Sequence, residues 1–337
     1  MGYRLTKKGL NAALTDLSRQ YKLYAPHRYV NQGEFSDTDS IRYGEIKTAD
    51  DMELLEKSSH TFKEALIPIS ETFFFFTEDN IKESERIHTG AVIFLRSCDL
   101  HAVKRLDEIY LNNGAEDYYY KRLRDKVKFV LLGCVSSFEN CFCVDMGTNI
   151  STEYDASLDV RDGQYYIDCK FSDWDSIFQN NAEEILDVVP SHVDQTTIQV
   201  SLPDTDTINT EKVIKNSMWD EYDTRCIACG RCNFSCPTCT CFTMQDIFYT
   251  DNGKAGERRR VWASCMVDKF TDVAGGGSYR NKHGARMRFK VLHKVVDYRQ
   301  RFGYHMCVGC GRCDDVCPEY ISFSHAVNKL SRVAKEG

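Results

Sequence analysis

Apolar positions along the first third of the chain follow two different rhythms. Leu5, Leu10, Leu14 and Leu17 recur at helical spacing, which predicts a helix over residues 5–21. Residues 91–95 (AVIFL) and 127–132 (VKFVLL) are instead unbroken apolar runs of strand length, the pattern of strands buried on both faces. Between them, residues 99–110 return to helical spacing. Strand, helix and strand in that order predict a crossover connection and parallel pairing. Residues 151–202 are more acidic and read as short strands and helices, with a hairpin over 160–168 turning at Asp162-Gly163. After Pro203, the run Asp204-Thr205-Asp206-Thr207 marks a boundary. Helices are predicted beyond it over 211–223, 286–302 and 321–334; the second carries Val291, Leu292, Val295 and Val296 on one face. The expected architecture is an α/β (α+β) domain over 1–207, followed by a mainly helical dicluster ferredoxin-like domain over 208–337.

Cysteine changes this picture most. Cys226, Cys229, Cys232 and Cys236 form the string C-x2-C-x2-C-x3-C-P, ending at Pro237, and Cys307, Cys310, Cys313, Cys317 and Pro318 repeat it 81 residues later (307 − 226 = 81). Four thiolates at this spacing are the ligand run of a [4Fe-4S] cluster, and in two-cluster modules the fourth cysteine of each run serves the other cluster. The expected sets are therefore Cys226, Cys229, Cys232 and Cys317 for one cluster, and Cys307, Cys310, Cys313 and Cys236 for a second. Gly230 and Gly311 follow the second cysteine of each run, where backbone must approach the cluster. Zinc favours paired C-x2-C knuckles rather than this doubled run.

Cys98 and Cys134 each follow a predicted parallel strand, at the sheet edge where α/β ligands gather. With Cys141 and Cys143 they make a candidate third [4Fe-4S] site; structural zinc and buried free thiols are the alternatives. Cys239, Cys241 and Cys265 stay open between substitute ligands, a further metal site, groups tuning a neighbouring cluster, and simple packing. Cys169 reads as a buried thiol. Asp99, His101, His283 and His293 have no identifiable nucleophile or base partner, and no catalytic residue is assigned. Gly275-Gly276-Gly277 does not fit a phosphate-binding fingerprint.

The chain has 337 residues, sixteen of them cysteine, and a formal net charge of −7. The acidic balance disfavours nucleic acid as a partner. No apolar run is long enough to span a bilayer, and the polar start, Met1 to Lys8, lacks a signal-peptide core. The M-G-x-x-x-[ST] match through Gly2 and Thr6 is short enough to arise by chance. Abundant cysteine without a secretory signal points to the reducing cytoplasm. Two basic runs, Arg258-Arg259-Arg260 and Arg286-Met287-Arg288, read as a solvated face or as a docking surface for an acidic redox partner.

The strings 96–100 (RSCDL), 141–148 (CFCVDMGT), 236–242 (CPTCTCF) and 262–265 (WASC), with both ferredoxin runs, resemble the iron–sulfur subunit of anaerobic sulfite reductase. The broader group includes the β subunits of sulfhydrogenases. The resemblance implies an iron–sulfur electron-transfer subunit of an anaerobic sulfur-metabolising complex. A flavin- and NADH-binding subunit would feed it electrons, and it would pass them to a sirohaem subunit that reduces sulfite to sulfide. The alternative is the electron-transfer β subunit of a hydrogenase or sulfhydrogenase.

Overall fold

The computed structural model describes residues 1–85 and 89–335. An eight-stranded sheet runs, edge to edge, through Glu184–Ile185, Gly2–Leu5, Gln164–Asp168, Ala156–Arg161, Val127–Leu132, Gly90–Arg96, Tyr21–Tyr29 and Ser40–Glu45. Its centre is parallel, as expected: Gly90–Arg96 pairs in parallel with both Tyr21–Tyr29 and Val127–Leu132. Side chains alternate between faces with period two. Val92 and Phe94 join Leu10, Leu14, Leu17, Trp174 and Phe178 under the helices Lys7–Ser18 and Ser172–Asn181. Ile93 and Leu95 join Leu100, Val103, Leu106 and Tyr120 under Ser97–Tyr110 and Tyr118–Arg124. The hairpin turns at Asp162 and Gly163, both with positive φ (50° and 73°), the geometry of a type I′ turn.

Two helices differ from their periodicity. The first starts only at Lys7, because Tyr3 and Leu5 are claimed by a sheet strand and Thr6 caps the helix, accepting from the Gly9 N–H at 3.1 Å. Residues 211–223 break into Thr210–Lys215, a 3₁₀ turn Ser217–Trp219 and Glu221–Arg225, because the Asn209 and Asn216 side chains each cap a fresh turn.

The carboxyl-terminal part is mixed rather than mainly helical. Phe242–Phe248 and Gly256–Trp262 pair as antiparallel strands, and Gly256–Trp262 also pairs with Ser70–Phe76, which carries Ile81–Glu83 at the far edge. The arginine run thus lies in a strand. Arg258 pairs with Asp246, Arg259 with Glu257, and buried Arg260 with Glu71 (3.0 Å) and Asp117 (2.6 Å). Arg286 is buried and paired with Asp268. Arg258 and Arg259 stay partly exposed while paired, whereas Arg260 and Arg286 are buried. Gly275 to Gly277 turn a small hairpin between Asp272–Val273 and Gly277–Ser278.

A third core packs Val291, Val295 and Val296 against Phe323, Ala326, Val327 and Leu330, with Phe142 and Met146 arriving from the first half. The predicted helix over 286–302 is His283–Leu292, then a π segment His293–Asp297, then Tyr298–Phe302. Such π insertions concentrate at functional sites. Here it frees the Lys294 carbonyl to accept from the Met306 N–H (2.9 Å) and the Cys307 N–H (3.3 Å), anchoring the start of the second cysteine run.

Candidate iron–sulfur centres

Each cysteine run folds as a loop closed by one helical turn, Arg231–Phe234 or Arg312–Asp315, and the two turns pack together. Gly230 (φ 76°) and Gly311 (φ 72°) occupy equivalent left-handed positions, as do Ala228 (φ 56°) and Gly309 (φ 66°). Glycine at 309 and 311 is also demanded by space. A Cβ at 311 would sit 2.2 Å from the Asn140 oxygen, and one at 309 would sit 2.6 Å from the Phe142 backbone. The second run is therefore clasped by the 138–143 loop of the first half.

That clasp is extensive. The Phe142 N–H donates to the Gly309 carbonyl (2.8 Å) and the Thr148 hydroxyl to the Val308 carbonyl (2.7 Å). Lys57 donates to the Cys310 carbonyl (3.0 Å) and pairs with Asp315 (2.6 Å). Arg312, 2% exposed, makes a two-pronged pair with fully buried Asp99 at 2.6 and 2.9 Å, and bonds Ser58 as well. Asp99 thus positions the second run rather than doing acid/base work.

The structure brings the predicted cysteines together around three cavities. One is lined by Cys226, Cys229, Cys232 and Cys317, with Cys313 and Pro318. A second is lined by Cys236, Cys307, Cys310 and Cys313, with Cys232 and Pro237. A third is lined by Cys98, Cys134, Cys141 and Cys143, with Cys310. Among the described residues, no three Cys, His, Asp or Glu side chains are placed to hold a single metal ion; the thiols ring volumes instead of converging on a point.

Desolvation opposes ionisation of most of these thiols. It pushes Cys98 well above the usual range, Cys143 and Cys310 to about 12, and Cys307 to about 11. Thiolates here need compensating charge, and metal binding would release their protons. The chain supplies cations of its own. Lys290 and Lys294 are buried, one π-widened turn apart, and no carboxylate pairs with either among the described residues. Lys294 reaches the Cys236 sulfur (3.3 Å) and the Thr238 hydroxyl (2.8 Å). Burial works against both ammonium charges, but the surrounding thiolates more than offset it and raise both pKa values. Lys63 is also buried; it donates to the Cys239 carbonyl (2.6 Å) and stacks on Trp262, and burial leaves its pKa lowered.

Of the remaining cysteines, Cys239 and Cys241 line a separate small pocket with Lys63, Arg260 and Trp262. Cys239 hydrogen-bonds Cys236 and holds that thiol low; Cys241 does the same for Cys265, which also accepts from the Asn233 amide at 3.1 Å. Cys169 is buried against the sheet. His101 bonds the Ile150 carbonyl (2.7 Å), His293 stacks on Phe289, and His283 pairs with Asp268. The buried lysines were missed from sequence, although two cations four apart beside the apolar face of 286–302 were a readable signal.

Comparison with known proteins agrees with the geometry of the carboxyl-terminal part. No solved structure matches the chain. The chain is 26% identical to the beta subunit of sulfhydrogenase 2 from Pyrococcus furiosus over 326 residues, covering 92% of each protein. Residues 225–321, which hold both cysteine runs, match the family model of the 4Fe-4S dicluster domain, and the chain therefore carries an iron–sulfur domain of that kind.

Proposed function

We propose that this chain is the iron–sulfur electron-transfer subunit of a multi-subunit oxidoreductase, of the hydrogenase or sulfhydrogenase β type. The observation that carries the reading is the coincidence of three cavities with the three cysteine sets, two of them inside the dicluster domain. The fit of residues to cofactor is good: five thiols line each cavity, prolines close both ferredoxin runs, glycines stand where backbone approaches, and buried ammoniums have no carboxylate partner among the described residues. Bound [4Fe-4S] clusters would supply one-electron steps at potentials set by burial and hydrogen bonding. The chain's own part is to hold the thiolates, exclude water and fix the local charge.

Similarity along 92% of the chain favours the sulfhydrogenase type over the iron–sulfur subunit of sulfite reductase. The strings 141–148 and 236–242 favour the second reading, in which a flavin/NADH subunit and a sirohaem subunit would flank this chain. The complex isolated through this chain without oxygen separates the two. Nickel in a co-purifying protein supports the hydrogenase type, and a sirohaem absorption band supports sulfite reduction. About twelve irons per chain are expected for three clusters, about eight for two, and zinc in place of iron refutes the electron-transfer reading.

A further inference from the structure

Two thiols stand outside the three cysteine sets and meet each other. Cys241 and Cys265 line none of the three cavities that the sets surround. They follow from the paired ends of Phe242–Phe248 and Gly256–Trp262. Phe242 opposes Trp262, and the Ala263 N–H donates to the Cys241 carbonyl at 2.9 Å. That ladder carries the two side chains into a thiol–thiol hydrogen bond. Cys265 is 6% exposed, and the buried Asn233 amide donates to its sulfur at 3.1 Å. Cys241 is half-buried and lines the small pocket beside Phe242, itself 45% exposed. One thiol can be reached and the other is held behind it, the arrangement of an attacking and a resolving cysteine. Cys239 is placed differently, since its hydrogen-bond partner is Cys236 of the second set. Asn233 also ties the pair to the first set. Its side-chain oxygen lies 3.9 Å from the Cys232 sulfur, and Met266, next to Cys265, lines the first cavity.

We propose that Cys241 and Cys265 are a redox-active dithiol, a site for a low-molecular-weight disulfide, whose oxidation is felt at the first cysteine set through Asn233. The Cys241 thiolate attacks one sulfur of the small disulfide, forming a mixed disulfide and releasing one thiolate. The Cys265 sulfur then attacks Cys241, closing the protein disulfide and releasing the second thiolate. The two protons given up by the cysteines end on the two released thiolates. Two electrons thus pass from the chain to the small disulfide, and two small thiols leave. Disulfides of reducing compartments are usually transient and redox-sensing, which suits a pair beside strands already joined by their ladder. Closing the bond leaves the Asn233 amide a weaker acceptor at Cys265, so its contact with the Cys232 sulfur changes too, and hydrogen bonds to ligand sulfur set a cluster's potential. That coupling rests on the electron-transfer reading above; formation of the bond does not.

The test titrates oxidised glutathione against the full-length chain, loaded with iron and kept without oxygen. Free thiols are then alkylated and the disulfides mapped by mass spectrometry. One bond is expected, Cys241 to Cys265, formed without loss of iron and reversed by reduced glutathione, with the EPR signal of the first site altered. Cys239→Ser is expected to form the same bond, whereas Cys265→Ser is expected to stop at a glutathione adduct on Cys241. A Cys239–Cys241 bond, iron released as the thiols are lost, or no bond at any glutathione ratio overturns the dithiol. A Cys241–Cys265 bond with every EPR signal unchanged overturns the coupling to the first set. Should Cys265→Ser fail to load iron, the wild-type map decides alone. A chain that forms the bond but holds zinc in place of iron refutes the electron-transfer reading and leaves the dithiol standing.

Discussion

Lys294 offers the sharpest test of how the chain sets the charge of the Cys236 site. Its ammonium lies 3.3 Å from the Cys236 sulfur, is buried, and is answered by no carboxylate among the described residues. Lys294→Met removes that charge while keeping an unbranched side chain of similar length. With the ammonium ~6 Å from the centre of the proposed cluster and an effective dielectric of ~20, the lost attraction for one added electron is ~3 kcal/mol. At ~59 mV per ~1.4 kcal/mol for a one-electron couple, the potential of the Cys236 site is expected to fall by about 125 mV. The assay is a redox titration followed by EPR on the anaerobic chain, wild type against variant at equal iron content. Lys290→Met is the companion variant, because Lys290 lines both the first and second cavities and is expected to move two waves together. A shift below ~20 mV with all clusters present refutes the electrostatic argument. So does a Lys294→Met shift confined to the third site.

Asp99→Asn leaves the buried Arg312 charge without its carboxylate and is expected to cost about 3–5 kcal/mol, read as a lower denaturant midpoint. The double change Asp99→Asn with Arg312→Met is expected to recover much of that loss, and no recovery argues against an uncompensated charge as the cause. Gly309→Ala places a methyl 2.6 Å from the Phe142 backbone at a left-handed φ; iron content is expected to drop by about four atoms through the third site. His293 is held neutral chiefly by burial, its pKa depressed to about 4. An unfolded histidine near 6.5 binds protons more readily, so the stability this group contributes is present above pH 6.5 and lost as pH falls towards 4. His293→Phe is expected to flatten the decline in unfolding free energy across that window; an unchanged slope speaks against the assignment.

The parallel centre of the large sheet was legible because residues 91–95 and 127–132 are continuous apolar runs, a signal that depends on burial alone. The dicluster domain was legible because the spacing within each cysteine run is a local property of the chain. The strands over 242–248 and 256–262 were not. Their polar content (MQD, ERRR) is tolerated only because Asp246 is opposite and Glu71 and Asp117 arrive from far away in sequence. The break in the helix over 211–223 hid for the opposite reason: Asn216 inside a helical pattern looks neutral until its side chain is seen to cap. The partner of Asp99 was not legible because Arg312 lies 213 residues away.

The clasp between the 138–143 loop and residues 307–312 has a consequence for biosynthesis. Chains emerge from the ribosome amino end first. The first cavity needs Cys317, the second needs Cys307 to Cys313, and the third borrows its wall from Cys310 and Arg312. None of the three can close until almost the whole polypeptide has been made. The early cysteines, from Cys98 to Cys143, lack part of their surroundings until roughly half the chain has followed them. On the proposed reading, iron loading would then come late in maturation, and a chain truncated before Cys317 would lack a cysteine of the first cavity.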